Sequence, residues 1–92
     1  MTLNRNNPKR DANEAEICAY LTDMGIGFTR ISEPGVPDLA IYHRGVIKYI
    51  EVKMPGKRLN ELQVEFHRRM RDEAIPCFVV TDFDSLMEAL GA

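Results

Sequence analysis

A chain of 92 residues makes one domain, with a core small enough to gain from a partner or a metal. Its 45% apolar and 28% charged residues are the composition of a globular protein, which excludes disordered and fibrous classes. The net charge of −2 argues against a dedicated nucleic-acid coat, and 2 cysteines are too few for a disulfide framework.

The first ten residues, MTLNRNNPKR, lack periodicity and predict a flexible arm over 1–10, ahead of a domain over 11–92. They carry no signal-peptide pattern, and no later apolar run reaches spanning length, so a cytosolic protein is expected. From Asp11 the pattern turns helical, with Ile17, Tyr20, Leu21 and Met24 on one face and Gly25 and Gly27 as its stop. FTRI (28–31) predicts a short strand, and SEPGVP is a loop. DLAIY and VIKYIEVK predict two strands joined by a tight HRG turn. A second helix is expected from Asn60 to Glu73, with Leu59, Leu62, Phe66 and Met70 along one side. PCFVVT (76–81) predicts a buried strand, and DFDSLMEAL a closing helix capped by Asp82. Cys18 and Cys77 fall in these apolar patterns as small core residues. The predicted fold class is α/β, order α-β-β-β-α-β-α, with helices on both faces of a mixed sheet.

Three charges stand out in this apolar frame. If Arg44 and Gly45 form a two-residue turn, His43 pairs with Val46 and Asp38 comes opposite Glu51, their Cβ atoms roughly 4.5–5.5 Å apart. Lys53 then projects from the same face as Glu51. A three-residue loop would put the two carboxylates on opposite faces. Ala40, Tyr42, Ile47 and Tyr49 share the face of the charges, while Leu39, Ile41, Val46, Ile50 and Val52 line the other, so both faces are expected to be covered. Facing carboxylates repel and resist desolvation, and the arrangement becomes favourable if a divalent cation lies between them. An isolated Glu-x-Lys is common at strand ends; Pro37-Asp38 at the right parity across a hairpin singles this one out.

With these residues the sequence resembles a PD-(D/E)xK nuclease, and more narrowly the virus-type replication-repair nuclease (VRR-NUC) domain. The matching positions are Gly35-Val-Pro-Asp38, Glu51-Val-Lys53, and MPGKRLNELQVEF with Gln63 on the following helix. Glu14 on the first helix matches as well, and the likeness runs over residues 12–90. The resemblance implies a restriction-endonuclease-like core. It makes Asp38, Glu51 and the Val52 carbonyl ligands of Mg²⁺ or Mn²⁺, and Lys53 the group that positions water and stabilises the phosphate. Glu14 and Gln63 join them as active-site residues. It further implies DNA as substrate and endonucleolytic hydrolysis. Free-standing domains of this family, from phages and bacteria, resemble Holliday-junction resolvases and act as homodimers in DNA repair. Branched DNA and a homodimer in a bacterial or phage-infected cell are therefore expected. A catalytically silent binding or assembly module on the same fold is the alternative.

Some residues keep two readings. Glu14 lies on the inward stripe with Ile17, Leu21 and Met24, so it needs a buried partner, which the metal site could be; a capping box with Asp11 is the other reading, and Glu16 is the fallback carboxylate. Gln63 is an active-site amide or a surface amide at a helix start. His67 sits one turn later, and with Lys57, Arg58, Arg68 and Arg71 it makes a DNA-facing set or a solvated face.

Overall fold

The computed structural model describes residues 10–91. The expected arm lies outside the described residues except for Arg10. The elements run α1 (Glu14–Asp23), β1 (Gly27–Arg30), β2 (Leu39–His43), β3 (Val46–Val52), α2 (Glu61–Asp72), β4 (Cys77–Val80) and α3 (Phe83–Leu90). This is the predicted order, in a single four-stranded sheet β1-β2-β3-β4. The first three strands are antiparallel, and β4 joins β3 in parallel. That parallel step needs a crossover, and α2 supplies it.

The β2–β3 turn sets the register. Arg44 has φ 55° and Gly45 φ 77°, the paired positive values of a type I′ turn, whose twist matches that of the strands it joins. His43 accordingly pairs with Val46, and Leu39 with Ile50. Regular pairing stops there, and Asp38 stands one residue beyond. Its carbonyl still accepts from the Ile31 N–H at 2.8 Å, so the loop end remains tied to the sheet.

The two sheet faces are covered unequally. Ile17, Cys18 and Leu21 of α1 and Leu86, Ala89 and Leu90 of α3 pack with Leu39, Ile41, Ile50, Val52 and Val80 into one core. Tyr20 and Phe83 bridge the two helices edge to face at 4.9 Å. Lys48, on this side of the sheet, donates to the Ala89 carbonyl at 2.9 Å, satisfying the end of α3. On the opposite face α2 lies over β3 and β4, with Phe66 edge-on to Tyr49 at 5.4 Å. None of the residues of α2 is buried. Tyr42 and Ile47, expected beneath a second layer, are 46% and 56% exposed, because α2 covers only the far end of β3.

Both later helices are capped by side chains, α3 by Asp82 as predicted and α2 by Asn60. Asn60 accepts from the Gln63 N–H, and the Gln63 side chain accepts from the Asn60 N–H, each at 2.9 Å. Asp82 and Ser85 make the equivalent exchange at α3. The Asp11–Glu14 capping box does not form. Asn13 is the cap residue of α1 without a side-chain bond, and the Asp11 carboxylate instead accepts from the Met54 N–H at 2.6 Å. Between β1 and β2, Gly35 has φ 81°, and a Cβ there would lie 2.9 Å from the Leu62 Cβ. A glycine is therefore needed where this loop passes against α2.

Candidate active site

The site forms where the end of β3, the loop before β2 and the start of α2 meet. Hairpin parity brings Asp38 close enough to Glu51 for the two carboxyls to feel each other's charge. Asp38 Oδ2 accepts from the Val52 N–H at 2.8 Å, which anchors the side chain to the strand carrying Glu51. Glu51 is 1% exposed. Its Oε2 accepts from Gln63 Nε2 at 3.1 Å, while Oε1 has no hydrogen-bond partner. Gln63 thus caps α2 with its oxygen and holds Glu51 with its nitrogen.

Burial pushes the Asp38 carboxyl up to about 6; the Val52 N–H opposes the rise, and the neighbouring Glu51 adds to it. No described cation closes on the pair at hydrogen-bond distance. Arg10 Nη1 stops 3.9 Å from Asp38 Oδ1, and His67 Nε2 stops 3.6 Å from Glu51 Oε1. Lys53 enters none of the ion pairs among the described residues. A destabilised acid pair with an unpartnered oxygen fits a hard divalent cation. Among the described residues no group of three or more His, Cys, Asp and Glu side chains gathers to hold an ion. The remaining ligands would then be backbone carbonyl and water, as is usual for Mg²⁺.

A cavity of about 300 Å³ opens over these groups, lined among others by Arg10, Asp38, Glu51, Lys53 and Gln63. Glu14 is not part of its wall. It is 2% exposed and stands behind Arg10, whose Nη1 donates to Glu14 Oε2 at 2.6 Å; Arg30 Nε reaches the same oxygen at 3.4 Å. Its Oε2 is thus paired with two guanidiniums that are themselves partly exposed, while Oε1 has no hydrogen-bond partner. Glu16 does not compete for the site, being exposed and accepting from the Tyr20 hydroxyl at 2.9 Å.

His67 is placed differently from a DNA-facing residue. Its side chain is 12% exposed, wedged between Glu51 and Cys77, with Nδ1 3.5 Å from the Cys77 sulfur. Burial pushes the Cys77 thiol up to about 12, so it stays protonated and inert. Lys57 and Arg58 are exposed in the loop after β3. Arg68 is held on its own helix by Glu65 at 2.5 Å and Asp72 at 3.1 Å, which reduces the charge it offers outward. Arg71 is exposed beside His67.

Sequence reasoning missed three residues. Arg10 was assigned to the arm, yet it is docked in the domain. Asp11 and Asn13 grip the backbone beside Lys53: Asp11 takes the Met54 N–H, and Asn13 Nδ2 donates to the carbonyls of Lys53 at 3.0 Å and Thr81 at 2.9 Å. The i, i+4 spacing of Arg10 and Glu14 was the available signal.

Element order and the mixed sheet are those of a nuclease-type α/β domain. Within that class, the fold is that of a VRR-NUC domain: a solved structure described as "VRR_NUC domain" superposes with a TM-score of 0.71 at 25% identity, covering 86% of this chain and 95% of that one. No family model matches the sequence, and no curated protein matches it.

Proposed function

We propose that this protein is a metal-dependent endonuclease that hydrolyses phosphodiester bonds in branched DNA, four-way junctions included, as a homodimer. The observation that carries the reading is the pairing of half-buried Asp38 with buried Glu51, one oxygen unpartnered, beside Lys53 in an open pocket. The likeness to a VRR-NUC domain supports it. The carboxylates of Asp38 and Glu51 and the Val52 carbonyl would hold Mg²⁺ or Mn²⁺. Bound there, the ion lowers the pKa of water and offsets charge on the phosphate.

The chain's own groups do the rest. Gln63 fixes the orientation of Glu51, and the Val52 N–H fixes Asp38. Asp11 and Asn13 hold the main chain on either side of the Lys53–Met54 peptide, so that the Lys53 ammonium is presented to the pocket. That ammonium positions the attacking water and stabilises negative charge as the P–O bond to the leaving oxygen breaks. The products are a phosphomonoester and a free hydroxyl. Lys57, Arg58 and Arg71 supply phosphate contacts beyond the pocket. A two-fold dimer would present two sites to a branched substrate, and a partner would suit a chain of 92 residues.

Labelled four-way and linear duplexes incubated with protein and Mg²⁺, Mn²⁺ or chelator test the reading beside Glu51→Ala. Metal-dependent cutting of the junction, lost in Glu51→Ala, is expected. Binding without cleavage sinks the enzyme; cutting of linear DNA alone sinks the branched substrate. A monomer in light scattering at working concentration sinks the dimer.

A further inference from the structure

Arg10 is a cation built into the wall of the pocket. Its Nη1 donates to Glu14 at 2.6 Å, and its Nη2 donates to the Ile31 carbonyl at 2.8 Å and to Ser32 Oγ at 2.9 Å. Those three contacts use three of the five donors a guanidinium carries, and two remain. The side chain is 25% exposed, and it lines the same cavity as Asp38, Glu51, Lys53 and Gln63. It approaches Asp38 to 3.9 Å as an ion pair without a hydrogen bond, and this offsets only a small part of the rise in the Asp38 carboxyl.

Its support is buried. Glu14 is 2% exposed and spends Oε2 on Arg10 and Arg30. A carboxylate is costly to bury, and an arginine that only tied the chain start to the 31–32 loop would not need one beneath it. A planar cation aimed in advance at a site of developing negative charge does, because fixing it beforehand removes the reorganisation cost during reaction. Held by Glu14, the guanidinium also resists repulsion from any cation at the acid pair.

We propose that Arg10 is a catalytic residue that contacts the substrate phosphate in this pocket, with Glu14 as the positioning carboxylate that fixes it. This rests on the nuclease reading and adds to it a phosphate contact made by a residue of the chain's start. The two carboxylates nearest the phosphate then come from Asp38 and Glu51, while Glu14 acts at one remove through the guanidinium.

Two measurements on the full chain test it. Single-turnover cleavage of a four-way junction in Mg²⁺ is compared for wild type, Arg10→Ala, Arg10→Lys and Glu14→Gln, with DNA affinity in Ca²⁺ and melting temperature measured alongside. Arg10→Ala is expected to slow cleavage about 10²-fold. Its affinity should change less than about threefold, and added guanidinium ion should restore part of the rate. Arg10→Lys should recover less than tenfold, since a point charge cannot reproduce the fork geometry. Cleavage within threefold of wild type overturns the proposal and leaves Arg10 a structural tie. Faster cleavage overturns it by showing that Arg10 obstructs the site, and a loss wholly in affinity makes it a DNA anchor. The second measurement needs no cleavage: the Arg10 Nε–H resonance is followed while a thymidine dinucleotide phosphodiester is titrated in Ca²⁺. A saturable shift supports the contact; no shift overturns it. Should wild type cut nothing while the resonance shifts, the nuclease reading fails and the phosphate contact stands.

Discussion

The two faces of the sheet are built to opposite rules. Under α1 and α3, alternate residues of β2 and β3 are fully buried aliphatics: Leu39, Ile41 and Ile50 are each 0% exposed. On the other face the intervening positions carry Tyr42, Ile47, Tyr49 and Glu51; α2 covers only the last two, and none of its own residues is buried. One face holds the chain together. The other holds unfavourable charge in place while leaving room for a ligand. A period of two in side-chain direction lets one pair of strands do both.

Substitutions can break or sharpen that contrast. The largest stability effects belong to the closed face, where Leu21→Ala and Leu39→Ala should each cost about 2–5 kcal/mol in denaturant unfolding. Leu62→Ala on α2 should stay near 0.5 kcal/mol, because Leu62 is 62% exposed. A Leu62 loss as large as that at Leu21 would show that this face is covered in solution.

Chemistry should divide the other way. Asp38→Asn and Glu51→Gln are each expected to lower single-turnover cleavage by about 10²–10³-fold or more while the fold persists. Loss of cleavage accompanied by unfolding would contradict the division of labour. Gly35→Ala joins the two regions: its φ of 81° and the 2.9 Å approach to Leu62 predict a loss of at least about 1–2 kcal/mol, read in denaturant. Its cleavage should fall too, since the loop that carries Asp38 must move away from α2.

One small effect has the opposite sign. The Asp38 carboxyl is raised from 3.8 to about 6, so the folded protein holds this proton more tightly than the unfolded chain. The stability it contributes to the metal-free protein is full below about pH 4 and lost as pH rises through about 6. Asp38→Asn removes that loss and should raise the melting temperature at pH 7.5. Asp38 is only half-buried, so screening holds the gain to about 1 kcal/mol, or about 4–8 °C for a chain of this size. The difference from wild type should vanish below about pH 4, and Mg²⁺ should stabilise wild type but not the variant. A variant less stable than wild type at pH 7.5 would mean that the acid pair is already compensated without metal.

Much of this was legible in the sequence. Periodicity placed all seven elements. The dipeptide Arg44-Gly45 set the hairpin parity, which carries Asp38 to the end of β3 beside Glu51, one residue past the last regular pair. Asp82 announced its helix because capping is a local exchange between residues three apart. Face coverage was misjudged: Tyr42 and Ile47 alternate like covered residues, and nothing local tells how far a later helix will reach.

The sequence by itself therefore determined what depends on neighbours along the chain: element type, turn geometry, register, and the side of the sheet on which Asp38, Glu51 and Lys53 lie. Only the tertiary structure decided what depends on distant segments meeting. It set Arg10 against the Ile31 carbonyl, Asn13 on the carbonyls of Lys53 and Thr81, and His67 between Glu51 and Cys77. Those contacts span 10 to 68 residues of chain. They form only because packing on the closed face fixes where α1 and α2 come to rest, and no period or spacing within a segment encodes that position.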